Sequence, residues 1–184
     1  MNSFRVRTRA LLVGLPLAGL RFVVPASDNA GAPALPKDPC LLKPAEIQAA
    51  LAPGITIGSG VASDNMLPLG VECSYTWGPR TPEWGQSALT ITIMDATKAW
   101  PGRSPEVIEE GVLAKVQVGG PDASRIPGVG DAAAFTLETR SNNATAEAYF
   151  EAKAVHLSLT FHEGHALSKK DKVVALLKQA AARL

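Results

Sequence analysis

The chain has 184 residues, which is enough for one domain and too few for two domains of ordinary size. Hydrophobic residues make up 46% of it and charged residues 19%, a composition that excludes a largely disordered chain. The formal charge at pH 7 is +1, and this near balance gives no support for binding to nucleic acid or to an anionic membrane surface.

Residues 1–26 are predicted to be an export signal peptide. Three arginines lie near its start, at positions 5, 7 and 9. An apolar run follows at residues 10–20, and Val24-Pro25-Ala26 offers a cleavage site. Arg21 ends the apolar run after about eleven residues, whereas a membrane span needs about 20. Without this segment and its four arginines, the 18 basic residues fall to 14 against 17 acidic ones, a net charge of −3.

We therefore expect an exported protein, located in the periplasm, the cell envelope or the extracellular space. Leu17-Ala18-Gly19-Leu20 follows a lipoprotein box except in its last position, where a lipid-anchored protein has cysteine. Residues 27–37 are rich in Ala, Pro and Gly and are predicted to form a flexible tether. Residues 38–184 are predicted to form a single domain, with no transmembrane span in the mature chain.

Cys40 and Cys73 are the two cysteines of the sequence, and export to an oxidising compartment favours a disulfide between them. The bond would close a loop of about 34 residues, which stabilises a fold by roughly 3–4 kcal/mol in the chain-entropy description. A metal or redox role would require a closer spacing such as Cys-x-x-Cys, which the sequence lacks.

The elements predicted in chain order are a helix, two strands, a helix, three strands and a helix. Alternating apolar and polar residues mark most of the strands, which is typical of an antiparallel sheet with one buried face. The sequence thus predicts an α+β fold, with about three helices packed on one face of the sheet. The predicted ranges are 44–52 (helix), 71–77 and 88–94 (strands), 104–116 (helix), 132–138, 146–151 and 155–161 (strands), and 168–184 (helix).

His162 and His165 are weak candidates for metal binding. They belong to His162-Glu163-Gly164-His165, which is one residue short of the zinc-protease motif, and Gly164 favours a turn over the helix that the motif needs. His156 is predicted to face solvent on the preceding strand, too far along it to join them. The sequence therefore predicts exposed turn histidines, no metal and no other cofactor.

No enzymatic motif stands out. The sequence lacks a Gly-x-Ser-x-Gly elbow, and both cysteines are expected to be paired. The loop Pro127-Gly128-Val129-Gly130-Asp131 lacks the lysine and hydroxyl of a phosphate-binding loop and leads into a strand. A non-enzymatic role is therefore favoured, although the question stays open.

Two features are candidates for binding. Trp84 and Trp100 lie in loops rich in proline and glycine, where a large aromatic residue has less reason to be buried. The outward strand face is rich in hydroxyl side chains, which suit polar ligands. The alternative is that the tryptophans close the ends of the sheet and that threonine simply favours strands. The hydroxyl-bearing residues are Ser74, Thr76, Thr90, Thr92, Thr136, Ser158 and Thr160.

Three segments together resemble a family of exported bacterial two-cysteine envelope proteins and lipoproteins of unknown function. They are Asp38-Pro39-Cys40-Leu41-Leu42, Cys73-Ser74-Tyr75 and Pro127-Gly128-Val129-Gly130-Asp131, and they span most of the predicted domain. The resemblance implies a disulfide between the two cysteines. It implies no catalytic residues, and residue Leu20 departs from the lipid-anchored members.

The leading hypothesis is a non-enzymatic exported domain that binds a polar small ligand or another envelope protein. The alternatives are an envelope hydrolase with an unrecognised site and a purely structural envelope protein. A cleft in which titratable groups converge, for example His156 beside an acid, would favour the hydrolase. A flat or aromatic-rimmed patch would favour binding.

Overall fold

The fold is built on strands β1 (Val61–Ser63), β2 (Gly70–Thr81), β3 (Gly85–Asp95), β4 (Ser124–Arg125), β5 (Ala132–Glu138), β6 (Asn143–Phe150) and β7 (Val155–His162). All neighbouring strands are antiparallel, and their order across the sheet is β1-β2-β3-β7-β6-β5-β4. This computed structural model describes residues 35–82, 85–138 and 140–184. The predicted signal peptide, residues 27–34 of the predicted tether and Trp84 lie outside the described residues.

The helices are α1 (Pro44–Leu51), α2 (Ala96–Ala99), α3 (Pro105–Val118) and α4 (Lys170–Ala181), with short 3-10 helices at Glu151–Lys153 and Ala166–Lys169. The α+β class predicted from the sequence is confirmed. The predicted strands and helices all exist, with ends that differ by a few residues. The sequence missed the one-turn helix α2 and the short edge strand β4.

The main core lies on one face of the sheet. Alternation along β7 turns Val155, Leu157, Leu159 and Phe161 toward this face, and each is at most 3% exposed. Apolar residues of β2, β3 and β6 join them, and α1 and α4 cover the face from above. The helical contributions to this core are Ile47 and Leu51 of α1 and Val173, Leu176, Leu177 and Ala180 of α4.

Helix α3 packs on the opposite face of the sheet, so the prediction that the helices share one face is wrong in this respect. Ile108 and Val112 of α3 form a second, smaller core with Ala132, Ala134 and Tyr149. The physical reason lies in β5, where Ala133 and Phe135 face the main core while Ala132 and Ala134 face α3. A run of alanines hides this alternation, because small residues serve both faces equally well.

The predicted disulfide between Cys40 and Cys73 is confirmed, with 5.1 Å between the two Cα atoms. It joins the segment before α1 to strand β2, and Cys73 itself is fully buried. Two residues further along β2, the buried Tyr75 hydroxyl donates to the carbonyl of Leu42. Burial and the nearby charge of Asp38 raise the pKa of Tyr75 to about 12, so this hydrogen bond persists at any physiological pH.

An ion pair links α1 to the end of the chain. The Arg183 guanidinium donates to both carboxylate oxygens of Glu46 and to the carbonyl of Leu41. The hydrogen bond from Arg183, together with one from the backbone N–H of Lys43, lowers the pKa of Glu46 from 4.5 to about 2. Both charged side chains are partly exposed, so we expect this pair to add less than about 1 kcal/mol.

The loop at residues 127–131 has a structural role. Gly130 adopts φ +57°, and a Cβ at this position would lie 2.3 Å from the carbonyl oxygen of Tyr149. The carboxylate of Asp131 accepts a hydrogen bond from the N–H of Glu151 at 2.7 Å. The loop thereby anchors the end of β6, the strand that carries Tyr149 into the second core.

Removal of the disulfide is expected to lower the free energy of unfolding by about 3–4 kcal/mol, because the unfolded chain loses its largest constraint. The test is urea unfolding of the oxidised protein against the Cys40→Ala/Cys73→Ala variant. The reduced wild-type protein is the matched control, since it lacks the bond but keeps both sulfur atoms. Equal midpoints for oxidised and reduced protein would contradict the expectation.

Candidate functional site

A cleft of about 310 Å³ lies between α3 and the sheet. Its polar lining comes from Arg103, Lys115 and His156, and its apolar lining from Trp100 and from one side of α3. Helix residues four apart share a face, which brings positions 107, 111 and 115 into one row along the cleft. We refer to this site as the α3 cleft.

The register of β6 with β7 places an acid beside His156. Tyr149 is directly opposite His156, and Glu147 is opposite Ser158, so the Glu147 and His156 side chains are diagonal neighbours on the α3 face. The Nε2 atom of His156 lies 2.8 Å from Oε2 of Glu147. Lys115 of α3 donates to the same carboxylate oxygen at 2.6 Å.

Glu147 is buried but ionised. Its side chain is 2% exposed, and burial by itself raises the pKa of a carboxyl group. Hydrogen bonds from His156 and Lys115, and the positive charge of Lys115, outweigh that effect and hold the pKa of Glu147 below its ordinary value. A fixed negative charge therefore lies beneath the surface of the cleft, covered by one cation and one imidazole.

His156 departs from the sequence prediction, because its side chain is only 5% exposed instead of facing solvent. An ionised carboxylate only accepts hydrogen bonds, so Nε2 of His156 carries the proton in their bond. The other ring nitrogen, Nδ1, is buried with no hydrogen-bond partner among the described residues. In the neutral ring Nδ1 is an acceptor, and leaving it unpaired costs about 1–3 kcal/mol.

Trp100 forms one wall of the cleft because of the short helix α2. Asp95 ends β3 and caps α2, accepting hydrogen bonds from the N–H and hydroxyl of Thr97. Burial raises the pKa of Asp95, but hydrogen bonds from Thr97 and Lys98 outweigh this effect and leave the pKa lowered. The indole then lies edge-on to the His156 ring, with 5.3 Å between the ring centroids.

Gly111 keeps the cleft open. It lies in the middle of α3, where glycine destabilises a helix by about 0.5–1 kcal/mol relative to alanine. A Cβ built at Gly111 would meet no atom of the described structure outside its own helix within 4 Å. Packing therefore does not require glycine at this position, and a larger side chain here would project into the open space of the cleft.

The other candidate residues lie elsewhere. Trp84 is outside the described residues. His162 contacts the side-chain oxygen of Asn143 through Nδ1 at 2.8 Å, and His165 is exposed at the start of a 3-10 helix. Within the described ranges no three His, Cys, Asp or Glu residues are grouped so that they could hold a metal ion.

The predicted hydroxyl-rich face exists, and part of its hydrogen bonding is internal. Ser74, Thr90, Thr160, Thr145 and Thr136 occupy paired positions on five successive strands. The hydroxyl oxygens of Ser74 and Thr90 lie 3.2 Å apart, and those of Thr145 and Thr160 lie 3.4 Å apart. This flat face is less suited to holding a small molecule than the concave cleft.

Sequence reasoning missed Arg103, Gly111, Lys115 and Glu147. One usable signal was Glu147, a carboxylate in a strand that has alanine at 144, 146 and 148. The other was Gly111, an unexplained glycine in the middle of a predicted helix.

The fold and the cleft together define an α+β domain that is crosslinked by one disulfide and has a mixed cationic and apolar cleft on its α3 face. Neither family models nor curated proteins nor solved structures give a match for this chain. Among the described residues, no helix is long and apolar enough to span a bilayer.

The Lys115→Met variant is expected to lose about 1–3 kcal/mol of unfolding free energy at pH 7, because it leaves the buried Glu147 charge without its cation. The loss should shrink as the pH falls below the ordinary carboxyl range. A group with a lowered folded-state pKa stabilises above its unfolded pKa and ceases to do so as it becomes protonated.

Chemical denaturation of both proteins between pH 7 and pH 3 provides the measurement. The matched control is Lys172→Met, which changes an exposed lysine of α4 that forms no ion pair among the described residues. A loss at Lys115 no greater than at Lys172 would show that Glu147 does not depend on the lysine.

Proposed function

We propose that the protein is an exported cell-envelope protein whose domain binds a small ligand in the α3 cleft and catalyses no reaction. The observation that carries this proposal is the open space above Gly111. A helix glycine that destabilises its own element and keeps a cleft accessible is expected where a ligand enters. The cleft volume of about 310 Å³ is within the range of small-molecule sites.

The lining of the cleft supports a ligand over a protein partner. The site is concave, and an indole, two cationic groups and an imidazole line the same cleft. Flat interfaces between proteins need a wider contact area than this cleft provides. A few polar groups set in an apolar wall are the usual composition of a site for a small molecule.

Export is supported by the disulfide and by the arginine-led apolar segment at the start of the sequence. Disulfides persist in oxidising compartments and are rare in the reducing cytosol. The resemblance to exported two-cysteine envelope proteins is consistent with the same location and contributes no activity of its own.

A second candidate function, an envelope hydrolase, is favoured by the bond between His156 and Glu147. A histidine oriented by an acid is the usual arrangement of a general base. Two observations weigh against it. Lys115 shares the carboxylate oxygen and neutralises the charge that would stabilise an imidazolium. The described residues that line the cleft include no serine, threonine, cysteine or carboxylate as nucleophile.

The Gly111→Leu variant is expected to fold at least as stably as the wild type and to lose ligand binding. Leucine favours the helix and finds open space for its side chain, which then occupies the cleft. The measurement is a fragment screen by ¹H–¹⁵N NMR, in which fragments should shift the amide signals of α3 residues near position 111 in the wild type.

Ala114→Leu is the matched control, because it adds the same side chain to an exposed position of α3 away from the cleft. Fragments that bind Gly111→Leu and the wild type equally would refute binding in the cleft. Turnover of ester or amide fragments by the wild type, absent in His156→Gln, would favour the hydrolase.

Mass spectrometry of the protein from its native cells is expected to show a mature N-terminus close to residue 27 and a mass two hydrogens below that of the dithiol. Both features follow from export and oxidation. An intact Met1 together with two free thiols would contradict an exported protein.

A further inference from the structure

We infer that the ligand of the α3 cleft is a small organic anion, a carboxylate joined to an apolar body. This inference rests on the proposed function and specifies its ligand class. It follows from three features of the cleft: an uncompensated cation at its mouth, a second cation with spare donors, and an apolar wall between them.

The uncompensated cation is Arg103. Its side chain lines the cleft, is exposed, and has no ion pair or side-chain hydrogen bond among the described residues. A guanidinium presents five N–H donors in a planar fork that matches a carboxylate. An anion at this position would gain a charge-assisted contact without displacing an existing partner.

The second cation is Lys115. Its ammonium donates to Glu147 at 2.6 Å, but the side chain is 51% exposed, so its other donors face solvent or the cleft. Glu147 fixes the position of the ammonium, and the carboxylate itself is 2% exposed and shielded from a ligand. The accessible charge of the cleft is therefore positive, which disfavours a cationic ligand.

The apolar wall of the cleft determines the chemistry of the rest of the ligand. Val107, Ile108 and Val112 of α3 line the cleft together with Trp100, which packs against the second core. Such a wall gains free energy by covering apolar surface, which an inorganic anion such as phosphate lacks. An aromatic or short aliphatic acid satisfies both the wall and the cations.

The imidazole of His156 also lines the cleft, but its unpaired Nδ1 atom is buried and out of reach of a ligand there. Lys115, Glu147, Arg103 and the edge of Trp100 are the charged and aromatic groups around this ring.

The test uses matched pairs of probes that differ only in charge: phenylacetate with phenylacetamide, and hexanoate with hexanamide. Each is titrated into the full domain while ¹H–¹⁵N NMR follows the α3 amide signals. We expect both carboxylates to bind at least about fivefold more tightly than their amides, since a charge-assisted hydrogen bond is stronger than a neutral one and solvent screens part of the gain. Inorganic phosphate should shift these signals least.

The Arg103→Gln variant should at least halve this preference for the carboxylate, with Lys115 as the remaining cation, while the amides bind as before. Arg80→Gln is the matched control, because Arg80 is an exposed arginine of β2 that does not line the cleft. The preference should persist in this control.

The outcomes separate the two proposals. Equal or tighter binding of the amides, at signals that Gly111→Leu abolishes, overturns the anionic ligand and leaves the binding cleft intact. A preference that Arg103→Gln leaves unchanged also overturns the anionic site. If no probe of either kind shifts the α3 signals up to its solubility limit, both the ligand class and the proposed function are overturned.

Discussion

The register of β7 with its two neighbours is the constraint on which the rest of the structure depends. As the central strand of seven, β7 pairs along its full length with both β3 and β6. A slip of one residue would turn Leu157 and Leu159 out of the main core and His156 into it. Because the same register sets Glu147 beside His156, formation of the core and formation of the cleft floor are one event.

The α3 cleft concentrates several local costs in a small region. A buried carboxylate, an unpaired imidazole nitrogen and a glycine in mid-helix each destabilise a fold when considered alone. Elsewhere the core is apolar, and large side chains such as Leu89 and Phe161 are fully buried. Departures from stable packing that cluster in one concave site are typical of a functional region.

Sequence reasoning recovered the elements that repeat a simple pattern. Alternation in β2, β3 and β7 revealed their core faces, and the cysteine count together with predicted export revealed the Cys40–Cys73 bond. It failed where a residue's environment depends on a distant element. His156 has the spacing of a solvent-facing residue, and only the position of α3 and Trp100 over that face buries it. No local pattern in β5 shows that its alanines serve two cores.

The disulfide also determines how the domain would carry mechanical load. Since Cys40 is bonded to Cys73, tension applied to the chain before Cys40 passes through the sulfur atoms into β2. The intervening residues, which include α1 and β1, form a side loop that bears none of this tension. A pull on that end of the domain therefore acts first on the hydrogen bonds of the sheet, while α1 remains packed against α4.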